Sequence, residues 1–339
     1  MNSEKYDHEF TFLLECMTSL RYIIPLAKRV RSAKPDAKIS FYAKENRKYN
    51  CTKRNLNTLN QILKQFKGSE FKFFDEKNIV TKIKTRVLFV VECVPSAEQG
   101  HVFIYDKKYC IQHGTDYENF ASRADDKTTY LTTSSLYSSK INEAYNSELK
   151  TIESNLPLSL WDIKDRDHQQ LITFIQQNFL KDYEKSMCIF YPEHDYHKEV
   201  IDIINEFKDE YFIFIKQRVK SQRIHPSIDS TKNTNIKLVV DGRWYPSEAV
   251  IFPYVCDVSV GFGTTAYIDI VKSGSNFVDW PLPDYSKQYT KPLENKNFRV
   301  VSSHEEAVSA VKDLVSDVSH KKSVNINHIE LDLIGEITK

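Results

Sequence analysis

Residues 248–281, Glu-Ala-Val-Ile-Phe-Pro-Tyr-Val-Cys-Asp-Val-Ser-Val-Gly-Phe-Gly-Thr-Thr-Ala-Tyr-Ile-Asp-Ile-Val-Lys-Ser-Gly-Ser-Asn-Phe-Val-Asp-Trp-Pro, decide the fold of this chain. They read as a helix, a short buried strand (Asp257–Val260), a tight Gly261-Phe262-Gly263 turn, a second helix opened by Thr264-Thr265, and a further strand (Asn276–Asp279). A strand that delivers its carboxyl end into a Gly-flanked helix start is an anion-binding device. Glycine lets backbone approach closely, and first-turn N–H groups and the helix dipole favour phosphate. Two readings stay open at this point: a site for a nucleotide mono- or diphosphate, and an ordinary strand-to-helix turn in an α/β core.

Outward from this stretch the same alternation recurs. Towards the N-terminus lie a helix (Gln169–Asp182), a strand (Ser186–Tyr191), a helix (His197–Lys208), strands at Tyr211–Lys216 and Ile236–Val240, and a Pro/Ser/Asn-rich loop between these last two. His304–Val318 reads as a last helix. The first half repeats the plan with strands at Glu9–Cys16, Lys38–Ala43, Arg86–Cys93 and Thr128–Thr133. Two short strands, His101–Tyr105 and Lys108–Gln112, flank an Asp106-Lys107 turn. Helices fall at Leu20–Ser32, Asn55–Phe66 and Ser135–Tyr145. The pattern restarts near Leu156–Trp161. The fold class expected is α/β, as two Rossmann-like domains facing across a cleft. Residues 1–157 form one domain and residues 158–339 the other, with the last helix free to pack back on the first.

Composition narrows the function classes. With 339 residues, 41% apolar and 27% charged, the chain is long enough for two folded domains. No apolar run is long enough to cross a bilayer, and the N-terminus lacks a basic-then-apolar export signal, so a cytoplasmic location is expected. Six cysteines (Cys16, Cys51, Cys93, Cys110, Cys188, Cys256) show no paired spacing, which argues against disulfides or zinc. The net charge of +1 conceals an asymmetry: residues 21–86 hold 18 of the 47 basic side chains but 5 of the 46 acidic ones. That basic segment suits peripheral contact with an anionic membrane at the inner face of the cell envelope, or a charged polymer, or merely a solvated Lys-rich surface. Nucleic acid is not expected, because no stacking or groove-reading motif accompanies the charge.

Candidate chemistry sits at strand ends. His113 closes the strand through Gln112 and is placed to take a proton from an acceptor hydroxyl, or to bond a loop carbonyl. Glu92, ending an apolar strand, is a second candidate base or acceptor ligand. Thr18 and Ser19 read as helix caps or acceptor contacts, and Arg21 as a partner for an anionic acceptor. In the second domain Glu193 and His194 follow a strand directly. Lys216, Arg218, Arg223 and His225 follow another, as cations for a pyrophosphate or sugar-acid carboxylate, or as a solvated basic loop. Gly261, Gly263, Thr264 and Thr265 form the phosphate turn. Asp269 would hold a ribose or polyol hydroxyl, or pair with a lysine. Asp165-Arg166-Asp167 lies ahead of a helix and reads as helix-start charge, so no metal site is expected and the chemistry is read as metal-independent.

His113-Gly114-Thr115 and Asp257-Val-Ser-Val-Gly-Phe-Gly-Thr264-Thr265 with Asp269 together resemble the GT-B glycosyltransferases. The similarity is greatest to the branch of CDP-glycerol glycerophosphotransferases and capsule polysaccharide transferases. The resemblance implies His113 as base, Gly114 and Thr115 on the acceptor side, and donor binding in the second domain. The partners implied are a nucleotide sugar or CDP-polyol donor of CMP, CDP or UDP type and a glycan or lipid-linked acceptor; no cofactor is expected, the activated donor being a substrate. The chain departs from that branch at Asp116, where proline is usual, and in carrying Thr264-Thr265 behind glycines in place of a Ser-Ser pair. A UDP-N-acetylglucosamine 2-epimerase-like enzyme and a non-catalytic GT-B binding subunit are the alternatives.

Overall fold

A computed structural model of the chain describes residues 6–14, 17–44, 56–74, 81–91, 102–112, 125–133, 135–145, 149–154, 158–192, 197–217, 228, 233–239, 248–264, 266–281, 296–316 and 329–338. The chain divides into two compact units, Met1–Leu158 with Ile326–Lys339, and Ser159–Asn325. In the first, β1 (His8–Leu14), α1 (Leu20–Ala33), β2 (Ile39–Lys44), α2 (Leu56–Leu63), β3 (Glu70–Phe74), β4 (Ile83–Val91), β5 (Phe103–Ile111), β6 (Thr128–Thr132), α3 (Ser135–Tyr145) and β7 (Lys150–Glu153) follow in order. All strands pair in parallel, in the order β3-β2-β1-β4-β5-β6-β7.

The second unit holds α4 (Arg166–Ile175) with a π turn (Gln176–Leu180), β8 (Lys185–Phe190), α5 (His197–Phe207), β9 (Tyr211–Lys216) and β10 (Ile236–Val239). It continues with α6 (Glu248–Val255), β11 (Val258–Gly261), α7 (Tyr267–Lys272), β12 (Phe277–Asp279), β13 (Phe298–Val300) and α8 (His304–Ser316). Its sheet is also wholly parallel, ordered β10-β9-β8-β11-β12-β13. Strands covered on both faces carry near-continuous apolar runs, and Tyr-Phe-Ile-Phe-Ile-Lys of β9 is buried along its whole length. The two parallel sheets are the Rossmann-like arrangement the alternating pattern predicts.

Several elements differ from the sequence reading. Phe103–Ile111 is one strand, not two, with Ile83 through Val91 of β4 in register along it. Asp106 and Lys107 break the apolar pattern without breaking the ladder, because the backbone pairs with β4 while Asp106 takes a hydrogen bond from the Tyr6 hydroxyl. The strands β3, β7 and β13 went unread. Each lies at or near a sheet margin, where burial demands less apolar sequence. The final helix is not His304–Val318 but α9 (Ile329–Thr338), which packs against α1 of the first unit. Its Ile-Glu-Leu-Asp-Leu-Ile-Gly sequence alternates with a period nearer two than 3.6, which hides the helix.

Candidate functional site

In the second sheet β8 lies between β9 and β11, so the order of successive strands reverses there. Connections leave in opposite directions from the carboxyl ends of β8 and β11, which opens a crevice where open α/β sheets bind ligands. The residues on its two flanks differ in chemistry.

On the β8–β9 flank, Tyr191 follows the last residue of β8. Its N–H donates to the Lys216 carbonyl at 3.0 Å, and its hydroxyl is bonded to Nδ1 of His197 at the start of α5. Lys216, the last residue of β9, is buried, and its Nζ lies 3.8 Å from Oε1 of Glu248, the first residue of α6 and also buried. The same Nζ reaches the Gln217 carbonyl at 3.4 Å and lies 5.6 Å from the centre of the Phe190 ring. These partners surround the amino group at the carboxyl end of β9, the edge at which open α/β sheets receive ligands. Burial pushes the Cys188 thiol up to about 12 against the opposing influence of Lys216, so this thiol is protonated at neutral pH and is no nucleophile.

On the β11–β12 flank lies the glycine turn. Gly261 and Asp279 are direct partners across the two strands, which brings the Asp279 carboxylate to the turn. The Gly263 N–H donates to Oδ1 of Asp279 at 2.9 Å, and the Trp280 N–H donates to the Gly261 carbonyl at 2.9 Å. Gly263 has φ +76°, which L side chains rarely adopt. At Gly261 a Cβ would lie 2.6 Å from Cζ of Phe277 and 2.8 Å from Cγ2 of Thr264. Internal packing therefore requires glycine here, and close approach of a ligand is not needed to explain it. Thr264 is buried; its Oγ1 accepts the Ala266 N–H at 3.3 Å and its carbonyl the Tyr267 N–H at 3.3 Å. The helix that follows spans only Tyr267–Lys272.

Two expectations change accordingly. The Gly263 amide points at a carboxylate instead of standing open to phosphate, and six residues supply little aligned dipole. Asp269 is 2% exposed, and its Oδ1 takes a hydrogen bond from the Ser159 hydroxyl inside the same unit, so its place is in the interior.

In the first unit Ser19 is wholly buried at the start of α1 and makes no side-chain cap, which removes it from an acceptor surface. Arg21 is turned onto its neighbour, with the guanidinium 4.7 Å above the Tyr22 ring and bonded to its hydroxyl. Gln112 is buried, and its Oε1 accepts the Thr133 N–H at 2.9 Å, which anchors the end of β5 immediately ahead of His113. Glu92, His113, Gly114, Thr115, Glu193, His194, Arg218, Arg223, His225 and Thr265 lie outside the described residues, as does the side chain of Thr18. Among the described residues no three His, Cys, Asp or Glu side chains converge as a metal site would require, and no helix is long and apolar enough to cross a membrane. A cavity of about 500 Å³ beside His8, Glu9 and Arg86 opens near the amino ends of β1 and β4, the edge opposite the one where such sheets bind ligands.

The sequence reading missed Glu248, Asp279 and the Tyr191–His197 pair. Glu248 and Asp279 stood in the opening stretch, each a lone carboxylate bounding an apolar run at an element's end. Such a charge is rarely buried without a partner, and that was the available signal.

No protein-family model matches the chain, and no curated protein matches it in sequence. Solved structures do match. A Listeria monocytogenes protein described as a UDP-N-acetylglucosamine 2-epimerase superposes with a TM-score of 0.63 at 8% identity, over 96% of this chain and 94% of that one. The wall teichoic acid polymerase TagF, soaked with CDPG, does so with a TM-score of 0.60 at 10% identity, over 98% and 89%. The fold is GT-B. UGT71G1 of Medicago truncatula, complexed with UDP-glucose, agrees with it at a TM-score of 0.59 and 11% identity over 100% of both chains. At these identities the GT-B likeness establishes architecture alone.

Proposed function

We propose that the chain moves a sugar or polyol phosphate from a nucleotide-activated donor of CMP, CDP or UDP type to a hydroxyl of a cell-surface glycan acceptor, without a metal ion. The observation that carries this reading is the strand-order reversal at β8 and β11, with the buried Lys216 held at its edge by Glu248. A fixed cation in a site of low dielectric offsets charge on a departing nucleotide without reorganising. Proteins of this fold named above hold UDP-glucose and CDPG, donors of the proposed class. Arg218 and Arg223 are the further cations offered by the sequence. His113, from the His-Gly-Thr resemblance, takes the acceptor proton as the hydroxyl attacks. Epimerases share the fold, so the fold does not separate them from transferases; the His-Gly-Thr resemblance is what favours transfer. The basic stretch of residues 21–86 would hold the enzyme to an anionic membrane at the cytoplasmic face, near a lipid-linked acceptor.

Isothermal titration with CMP, CDP, UDP and GDP tests the donor class, and turnover with and without chelator tests metal independence. His113→Ala is expected to abolish transfer and leave donor binding intact. Full turnover in that variant would remove His113 from the mechanism.

A further inference from the structure

We infer that the cavity at the amino edge of the first sheet is a binding site for an organic monoanion that joins a phosphate or carboxylate to an apolar part. Residues of the first unit alone line it, so the inference is independent of the donor class proposed for the second. At about 500 Å³ it falls within the roughly 300–1,000 Å³ usual for small-molecule sites. Its walls are set in advance. Arg31 holds the turn after α1, one guanidinium nitrogen donating to the Pro35 and Ala37 carbonyls at 2.6 and 3.0 Å and the other to Oγ of Ser69 at 2.9 Å. A bulge in β1 fixes the floor: the Glu9 and Phe10 N–H groups both donate to the Lys38 carbonyl, at 2.9 and 3.1 Å. Arg86 meets both bulge residues, with Nη2 3.1 Å from Oε1 of Glu9 and the guanidinium 5.3 Å from the centre of the Phe10 ring. His8 is tied through Nε2 to the Tyr42 hydroxyl at 3.1 Å and to Glu70 at 3.3 Å. Walls that need no ordering on binding leave more of the contact energy for affinity.

The lining selects the charge of the ligand. Among the side chains that border the cavity, Lys34, Lys38 and Arg86 stand against Glu9 and Asp36, an excess of one cation. Burial holds the His8 pKa below its ordinary 6.5, so that ring is neutral at pH 7 and adds no charge. A monoanion brings the set to neutrality, whereas a cation would raise its excess to two. Lys34 and Lys38 are exposed at the rim, where a phosphate or carboxylate keeps part of its hydration. Ala33, Pro35 and Ala37 carry no side-chain hydrogen-bonding group, which suits an apolar part of the ligand. The Tyr6 ring, its hydroxyl bonded to Asp106, adds an aromatic surface.

Phenyl phosphate serves as the probe, with inorganic phosphate and phenol as its two halves. Each is titrated calorimetrically into wild type, the double variant Lys34→Gln/Lys38→Gln, Ala33→Trp and Lys216→Gln. We expect one site per chain, with phenyl phosphate at least about 10-fold tighter than either half, because a buried ring and an ion pair each contribute. The double lysine variant should bind the probe about 5-fold more weakly, the scale of two exposed ion pairs. Its substitutions are at exposed positions, so the fold is kept. Ala33→Trp sets an indole at an exposed position on the cavity wall and should lose the probe. Lys216→Gln should bind it as wild type does. No saturable binding to wild type overturns the inference, and so does equal binding of phenyl phosphate and inorganic phosphate. A probe that survives Ala33→Trp and is lost in Lys216→Gln also overturns it, and leaves the donor class standing. Vesicles separate the two sources of such an anion: displacement of the probe by phosphatidylglycerol and not by phosphatidylcholine assigns the site to a lipid headgroup. Displacement by neither assigns it to a free metabolite, and both results uphold the site.

Discussion

Replacing Gly261 with alanine probes the turn most directly. The added methyl would lie 2.6 Å from Cζ of Phe277 and 2.8 Å from Cγ2 of Thr264, both inside the 3.0 Å that real Cβ contacts respect. Neither neighbour has room to yield. Phe277 is 0% exposed, with the Phe298 ring stacked at 5.8 Å and the Phe190 ring edge-on at 6.5 Å, and Thr264 is tied to Ala266 and Tyr267. Overpacking a core costs typically about 1–3 kcal/mol, and two simultaneous overlaps put Gly261→Ala near the upper end. For a domain of this size each kcal/mol moves Tm by roughly 2–4 °C, so the second unit should melt on the order of 6–12 °C lower. Differential scanning calorimetry resolves a change of that size. A Tm within about 1 °C of wild type would mean that β11 and β12 part freely, and would refute the pinned turn.

Other expectations follow from the first unit. Gly335 lies inside α9 with open space where a methyl would project, nothing standing within 4 Å of it, so Gly335→Ala should raise the unit's stability by roughly 0.5–1 kcal/mol, read as a later urea midpoint. His8 is held below its ordinary 6.5 chiefly by burial, which outweighs the upward pull of Glu70 and Asp7, while Lys72 and Lys38 add to the lowering. The folded unit therefore binds fewer protons than the unfolded chain near this group. Its contribution is whole above pH 6.5 and is lost as pH falls through the lowered folded value. Urea midpoints between pH 7 and pH 5 should fall less steeply in His8→Gln than in wild type, and equal slopes would discount the residue.

The sequence revealed most where burial dictated residue type. Val87–Val91, Ser186–Phe190 and Tyr211–Lys216 are apolar because helices cover both faces of their sheets, and such runs are hard to misread. Glu70–Phe74, Lys150–Glu153 and Phe298–Val300 are short and partly exposed, so their pairing is a property of the neighbouring strand more than of their own composition. The site divided along the same line. Lys216 was legible as a cation at the end of a buried strand. Its partner Glu248 comes from beyond the next strand, and no local spacing announces a contact that only the folded chain creates. The glycines were found for a reason the structure revises: Gly261 yields to Phe277 and Thr264, and Gly263 offers its amide to Asp279.

The return of α9 to the first unit sets an order of events during synthesis. Leu333, Ile334 and Ile337 complete an apolar surface whose other side begins with α1, so that surface stays unsealed until Ile329–Thr338 has left the ribosome. Ser159–Asn325 is contiguous and can finish first, reversing the usual N-terminal precedence. A nascent chain stalled before residue 326 would pair a finished second unit with a first unit still open to chaperones and proteases.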